Sequence, residues 1–570
     1  MNLRARELWR SGVRIRLQDQ PFQILAMMLE RPGEVVTREE IRERLWADGT
    51  TVDFEHSVNA AIKRLRAALG DTAESPRFVE TLHRRGYRFI ATLDAPMPFG
   101  LSDRHIPGAR ARLVVLPFAN LSEGLAQEYF SDGLTEEMIA QLGRLFGPRL
   151  GVIARTSSML LKNATRTASE IGQAFGAQYL LEGSVRRDGE RVRITAQLIE
   201  TEGETHLWAE SYDRRLADVI AVQTDVAAAI ARSLMIELLP GAAPAPLAGT
   251  RNPDAYQAYL KGRFHWNKPG DGGLPAALVY FDEAIALDPN FAAGHSGRAR
   301  CYLSLAEYYR ETPRAALQVA RTSAERALQI DPGDSEAHIV IGEVRRSVDW
   351  DSAGAEESYR RAFACNPSFD AAHRCYAMFL ASRGQLPEAM TIADRACELD
   401  PFCFSTSIAA ALVRFFAGQH DAVVSRCRHV IDMDADYAPA RRLIAAALEQ
   451  MGRGDEAAAV LREVGEARMA PVSLACFGRV LAANGDRRGA LALRERLRRL
   501  DRTRFVPAYA LALLDAGLGD RDSAFAELEA ACEQRDPWLD TLGVDPRFAP
   551  LRTDPRFGAL LNRLRLVQAA

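Results

Sequence analysis

The first half of the chain has no cysteine. All eight, Cys301, Cys365, Cys375, Cys397, Cys403, Cys427, Cys476 and Cys532, lie in the second half. None forms a CxxC pair, so neither a disulfide framework nor a zinc-ligand spacing is supported. The thiols read instead as small apolar fillers of helix interfaces in a reducing compartment. The sequence also lacks any run of the roughly 18 to 20 uncharged apolar residues that a spanning helix needs. Residues 1–8 carry acids and bases where a secretory signal needs an apolar core. Excess charge is missing too: 72 Lys+Arg face 75 Asp+Glu, a net −3 over 570 residues, which excludes a polybasic or strongly acidic chain. With 48% apolar residues, the expectation is a soluble, cytoplasmic protein of several globular units, with no membrane association.

Two stretches rich in Pro, Gly and Ala interrupt the periodic pattern, at 94–111 and 240–253, and read as linkers. They leave a first part, 1–93, a middle part, 112–239, and a last part, 254–570. The first part holds 16 Lys+Arg against 13 Asp+Glu, so it is basic in an otherwise acidic chain.

Within 1–93, Phe22, Ile24, Leu25, Met28 and Leu29 follow helical spacing, ended by Pro32 and Gly33. Thr37 and Glu40 then form a capping box ahead of a short helix with Ile41, Leu45 and Trp46 on its apolar stripe. From Ser57 to Leu69, Val58, Ile62, Leu65 and Leu69 face inward, which leaves Asn59, Ala60, Lys63, Arg64 and Ala67 outside. Two β-rich runs, 77–82 and 87–90, flank His83, Arg84, Arg85 and Gly86 as a hairpin with a basic tip. Between Ser57 and Ile90 there are seven Lys+Arg and three acids. A basic helix of this width fits the DNA major groove, and a basic hairpin suits the neighbouring phosphates.

The order helix, capped helix, basic helix and hairpin, with the segments 33–40, 62–70 and 81–89, resembles the OmpR/PhoB-type winged-helix DNA-binding domain across residues 1–92. The resemblance implies that Ser57–Leu69 is the recognition helix. Arg64 then stands where the family reads a base, Lys63 and Arg66 stand where it grips phosphate, and Thr81–Arg85 form the wing. His83 occupies a position that is often Arg, which shifts the minor-groove contact to Arg84 or Arg85. The family opens on a longer sheet, and the chain is expected to begin at its second strand. Family members under phosphorelay control carry a receiver domain, which this sequence does not show, so control by aspartyl phosphate is not expected.

The middle part alternates strands and helices: a strand at 112–118, a helix from Leu134 to Phe146, a strand at 151–154 and a helix from Ser169 to Phe175. A hairpin follows, Tyr179–Arg187 and Arg191–Glu200 around Asp188 and Gly189, then a strand His206–Tyr212 and a helix Val219–Leu239. This is a mixed sheet with helices. No phosphate-cradling glycine loop, GxSxG elbow or HExxH is present. Glu136 and Glu137 are assigned to a helix start, where acids favour the dipole. Segments 116–122, 130–137 and 181–187 resemble the TolB amino-terminal-like domain, which implies ligand sensing or interdomain contact without catalysis.

In the last part, Pro289, Pro332, Pro367 and Pro401, then Ala435, follow amphipathic helices at intervals of 43, 35, 34 and 34 residues. That is the tetratricopeptide length. Ala277, Phe281 and Ala284, and their equivalents in later repeats, fall in register, and the alanines among them let neighbouring helices approach. Seven or eight repeats are expected from 254 to 536, with an insertion near Glu307–Arg314. The segment 537–570, with Asp-Pro-Arg-Phe at 545–548 and 554–557, then forms a cap. Such a stack leaves a concave groove for a protein or peptide partner.

The expected fold is therefore multidomain: an α+β winged helix, an α/β mixed-sheet middle domain and an all-α repeat solenoid, an order that resembles a CadC-like architecture without a transmembrane helix. The expected function is sequence-specific binding of double-stranded DNA, with homodimerisation on adjacent half-sites giving the affinity that one small module lacks. The DNA-binding residues are Asn59, Lys63, Arg64, Arg66, Thr81, His83, Arg84 and Arg85. No catalytic residue, metal or cofactor is assigned. The alternative readings are a repeat scaffold whose winged helix contacts protein, and an enzyme housed in the middle part.

Overall fold

The computed structural model describes residues 8–10, 13–15, 19–30, 35–45, 54–69, 71–72, 76, 78–82, 85–90, 111–122, 128–146, 150–164, 166–188, 191–215, 249–250, 252–268, 272–466, 469–502 and 504–566. The expected helix at 219–239 and most of both linkers lie outside the described residues. The chain divides into two compact units, Met1–Leu101 and Ser102–Ala570.

The first unit opens on an antiparallel pair, β1 (Leu8–Arg10) and β2 (Val13–Ile15). Helices α1 (Asp19–Glu30), α2 (Arg38–Leu45) and α3 (Phe54–Leu69) follow, with β3 (Val35–Thr37) between the first two. β4 (Val79–Leu82) and β5 (Gly86–Phe89) close the unit, and the three short strands pair antiparallel in the order β3-β5-β4. Ile24, Leu25, Met28, Val36, Ile41, Val58, Ile62, Leu65, Val79 and Tyr87 form one buried core. The recognition helix begins at Phe54, three residues earlier than the apolar spacing indicated. Thr37 and Glu40 make the capping box: the Glu40 amide donates to Thr37 Oγ1 at 3.2 Å and the Thr37 amide to Glu40 Oε2 at 2.7 Å.

The second unit starts with a six-stranded mixed sheet. β6 (Ala111–Val115) pairs parallel with β8 (Leu150–Val152) and β9 (Tyr179–Asp188), and β7 (Ala119–Asn120) adds to β9. β9, β10 (Arg191–Glu200) and β11 (Thr205–Arg215) continue as an antiparallel meander. Val192, Ile194, Ala196 and Leu198 are buried on β10, as their alternation with polar residues requires. Helices α4 (Glu128–Phe146), α5 (Arg155–Met159) and α6 (Ala168–Phe175) complete this layer.

The early start of α4 corrects one assignment. Glu136 and Glu137 lie in mid-helix, and neither caps anything. Glu136 accepts from Arg263 Nε at 2.9 Å and from Asn267 Nδ2 at 3.2 Å, and pairs with Arg155 at 3.2 Å. Arg263 also donates to both oxygens of Glu336, at 2.7 and 2.9 Å. Glu137 accepts from the Tyr259 hydroxyl at 2.8 Å, and burial pushes its carboxyl above the usual range. The polar residues thus tie the sheet layer to the first repeats. Phe130, Leu134 and Leu142 of α4 share one core with Tyr256, Leu260 and Phe281 of the repeats.

Among the described residues sixteen α-helices run from Pro253 to Gln534 and stack as eight antiparallel pairs. The repeat residues predicted from spacing, including Ala277, Phe281, Ala284, Ala320, Ala355, Tyr359, Ala389 and Ala396, are almost fully buried where helices cross. The longer first interval is a longer pair, Ala292–Glu307 and Pro313–Ile330, joined by five residues. One bond recurs with the repeats: Nε2 of His295, His338 and His373 meets the carbonyl of Pro289, Pro332 and Pro367 at 3.1, 2.9 and 3.0 Å. A carbonyl only accepts, so each Nε2 carries the proton.

The C-terminal segment returns to the early repeats. After the last pair, two 3₁₀ turns, Pro537–Thr541 and Pro546–Leu551, and a helix Pro555–Arg563 fold back onto the early repeats. Tyr309 donates to Asp536 at 3.0 Å, Arg346 pairs with Asp540, and Arg383 donates to the Arg565 carbonyl at 2.8 Å. Arg535 stacks over Trp350 at 3.9 Å. The C-terminal segment is thus bonded to repeats far earlier in the chain, which helix spacing alone could not show.

A second seam holds the sheet layer to the middle repeats. Asp400 accepts from the amide of Ser157 at 3.0 Å and from its hydroxyl at 2.5 Å, and Ser157 Oγ in turn accepts from the Phe402 amide at 2.9 Å. Burial and the nearby Asp370 push the Asp400 carboxyl up to about 7. A carboxyl raised on folding adds stability that is complete below the ordinary 3.8 and is lost as pH rises through about 7. Asp400→Asn keeps an acceptor for Ser157 and removes the proton. Melting curves from pH 4 to 8 should show wild type losing ground to the variant as pH rises. Parallel curves would refute the assignment.

Candidate nucleic-acid interface

Helix α3, the expected recognition helix, buries Val58, Ala61, Ile62 and Leu65 and leaves Asn59, Lys63 and Arg64 exposed. The outward cations follow from the 3.6-residue period, since each stands one or two positions from a core residue. Arg64 and Lys63 point away from the unit's core on the face that a major groove would receive. Arg85, at the hairpin turn, is exposed as well. His83 and Arg84 lie outside the described residues.

Arg66, Thr81 and Asn59 have partners within the unit. Arg66 donates through Nε and Nη2 to the Val79 carbonyl at 3.3 and 2.6 Å, and through Nη2 to Thr81 Oγ1 at 2.8 Å. It therefore braces the wing strand against α3, and Thr81 is its acceptor. Asn59 Oδ1 accepts from the Tyr87 hydroxyl at 2.7 Å and from Arg38 Nη2 at 3.3 Å, which locks α3 to β5 and α2. These bonds hold α3 against the hairpin and α2, and they narrow the candidate face relative to the charge count.

Two groups that sequence reasoning passed over set the wing. The Asp71 carboxylate, buried at the end of α3, accepts from the amides of Phe78 and Val79 at 3.1 and 2.8 Å, so helix and wing share one anchor. Arg88 and Glu80 face each other across β5 and β4 and form a two-pronged bond at 2.9 and 2.6 Å. An acid directly after a helix end and an acid–base pair at facing hairpin positions were the available signals. Gly86 begins β5 at φ +153°, with a Cβ there placed 2.1 Å from the Val36 carbonyl oxygen. Only glycine lets the wing approach β3 this closely.

Among the described residues, ligand atoms of Asp370, Asp400 and Cys403 come within 4.8 Å of one another. Arg374 and Arg300 act on Asp370, and Ser157 donates to Asp400. Guanidinium and hydroxyl groups thus already supply the positive charge and donors that a metal ion would bring.

No helix among the described residues is long and apolar enough to cross a membrane. Residues 12–89 match the family described as "Transcriptional regulatory protein, C terminal". "Putative adenylate cyclase 3" of Rhizobium meliloti is 34% identical over 236 residues, 41% of this chain and 40% of that protein. The chain thus spans well under two thirds of that relative. Transcriptional regulator HilA of Salmonella typhimurium is 22% identical over 429 residues, covering 73% of this chain and 72% of its own. The cholera toxin homolog transcriptional activator of Vibrio parahaemolyticus is 42% identical over 85 residues, 15% of this chain and 29% of that one. Core, order of elements and family match agree: residues 12–89 are a winged-helix DNA-binding domain of the transcriptional regulatory protein C-terminal family.

Proposed function

We propose that the chain is a sequence-specific, DNA-binding transcriptional regulator of the cytoplasm. In this reading α3 enters the major groove, the β4–β5 hairpin grips the flanking backbone, and the unit 102–570 receives a protein or small-molecule signal without catalysis. The observation that carries it is the exposure of Lys63 and Arg64 on a helix whose opposite face is fully buried and whose seat is fixed by Asn59, Arg66 and Asp71. A rigid helix with outward cations pre-organises base contacts, which lowers the entropy lost on binding. The relatives HilA and the Vibrio activator, named as transcriptional regulators, support the same reading.

Arg64→Ala should lower affinity for a selected site by about 1–3 kcal/mol and relax the base preference at one position. Lys63→Ala should weaken all sequences alike and reduce the slope of log K against log salt by about 1. Gel shifts of the full chain at two salt concentrations check both. Salt-independent binding, or wild-type affinity in both variants, would favour the scaffold reading, in which this domain contacts protein. Paired half-sites in the selected DNA would indicate a homodimer.

A further inference from the structure

The two ends of the six-stranded sheet are finished differently. β8, at one end, is three residues long and buried throughout. Its outward polar groups are taken up by the repeats: the Val152 amide donates to Ser368 Oγ at 3.2 Å, and Ser368 Oγ donates to the Leu150 carbonyl at 3.3 Å. Just beyond the strand, the Ala154 amide donates to the Leu399 carbonyl at 2.8 Å. An edge closed in this way offers no ladder to another chain.

β11, at the other end, is the longest strand of the sheet, eleven residues, and among the described residues it pairs with β10 alone. Seven of the eleven are exposed, Glu210, Ser211, Arg214 and Arg215 among them. Residues 205–215 hold neither proline nor lysine, the residues that commonly blunt a free edge. From Trp208 to Arg215 the ladder with β10 runs without a bulge, so the free side is straight as well as long.

The charges on this strand are of both signs. Asp213 is committed within the sheet, to Arg191 at 2.9 Å and Arg193 at 3.1 Å. Glu210 accepts from the Tyr212 hydroxyl at 2.8 Å, and Arg214 donates to the Asp213 carbonyl at 3.1 Å. Among the described residues, Glu210, Arg214 and Arg215 form no ion pair.

A second copy of β11 laid antiparallel on this edge, with the two sheets continuous, is related to the first by a two-fold axis normal to the sheet. Opposed residues then share a face, and faces alternate along a strand, so the axis must pass through a residue position and not between two. An axis at Glu210 or at Asp213 sets carboxylate against carboxylate, and one at Arg214 sets cation against cation. An axis at Ser211 opposes Glu210 to Tyr212 and forms no ion pair. With the axis at Tyr212, Glu210 opposes Arg214 of the second copy, and Arg214 opposes its Glu210. The overlap in that register runs from 209 to 215, an ordinary strand length.

We propose that β11 is a dimerisation edge, which pairs antiparallel with β11 of a second copy of this chain about an axis at Tyr212 and closes a Glu210–Arg214 ion pair on either side of it. Backbone hydrogen bonds along the strand supply the attraction, and the charges fix the register. The inference deepens the reading of a homodimer on paired half-sites by giving that dimer a surface. Its test contains no DNA, so its failure and a failure of DNA binding are told apart.

The test is sedimentation equilibrium of the full chain at micromolar concentrations, for wild type, Glu210→Arg, Arg214→Glu and the double reversal Glu210→Arg/Arg214→Glu. Wild type should dimerise. Each single reversal sets like charges opposite each other twice and should weaken association by roughly tenfold or more. The double reversal restores opposite charges at both places and should bring association back to within about threefold of wild type. Both side chains are exposed, so all three variants should melt with wild type. A monomeric wild type, which would leave the edge to a strand of some other protein, would overturn the proposal. So would a dimer indifferent to the single reversals, or a double reversal that associates no better than the singles.

Discussion

Arg263→Ala should destabilise the 102–570 unit by about 3–5 kcal/mol, measured by denaturant unfolding of the full chain. Arg263 is 9% exposed and bonds Glu136 of α4 on one side and Glu336 of the third repeat pair on the other. Its removal leaves two carboxylates facing each other with Arg155 and Asn267 as the remaining partners of Glu136. It also removes the stacking of the guanidinium over Trp266 at 5.2 Å. Uncompensated charge, more than lost attraction, sets the size of the effect. Replacing Arg263, Glu136 and Glu336 together by Met should therefore cost less than Arg263→Ala alone, since the two facing carboxylates leave with the guanidinium and the loss that remains is the Arg155–Glu136 pair. A triple variant as unstable as the single one would show that packing, not charge, is responsible.

Gly86→Ala is expected to have the second large effect, confined to the first unit. The new methyl would meet the Val36 carbonyl oxygen at 2.1 Å, and that oxygen belongs to a strand paired with β5 through Val35–Arg88, Val36–Tyr87 and Thr37–Gly86. Backbone on both sides of the clash leaves no flexible side chain to give way. The positive φ adds strain for any residue with a Cβ. A cost of about 2–4 kcal/mol follows, and the wing should detach from β3. DNA affinity should fall even though no cation is altered. A variant that melts and binds like wild type would contradict the geometry of the wing.

The periodic features of this fold were legible because they are local. The Thr37–Glu40 capping box, the inward Val58, Ile62 and Leu65, the alternation along β10 and the 34-residue recurrence of proline each rest on contacts within one or two elements. What was not legible depends on partners far apart in sequence. Arg66 and Asn59 are polar and outward by helical phase, yet the hairpin returns to meet them through Val79, Thr81 and Tyr87. Glu136 took the role of a cap because α4 begins at Glu128, with a first turn whose apolar signal is weak. The seat of the C-terminal segment hangs on Tyr309, Arg346 and Arg383 meeting residues beyond 535. No spacing within a repeat encodes that meeting.

The central claim is that Arg64 reads a base edge in the major groove. Methylation of guanine N7 places a group on that edge, so interference footprinting on a DNA selected by the full chain tests the claim most directly. Wild type should be blocked by methylation at a small set of guanines, and Arg64→Ala should lose the block at one of them while keeping the others. Binding that is indifferent to N7 methylation, in wild type and variant alike, would contradict the account.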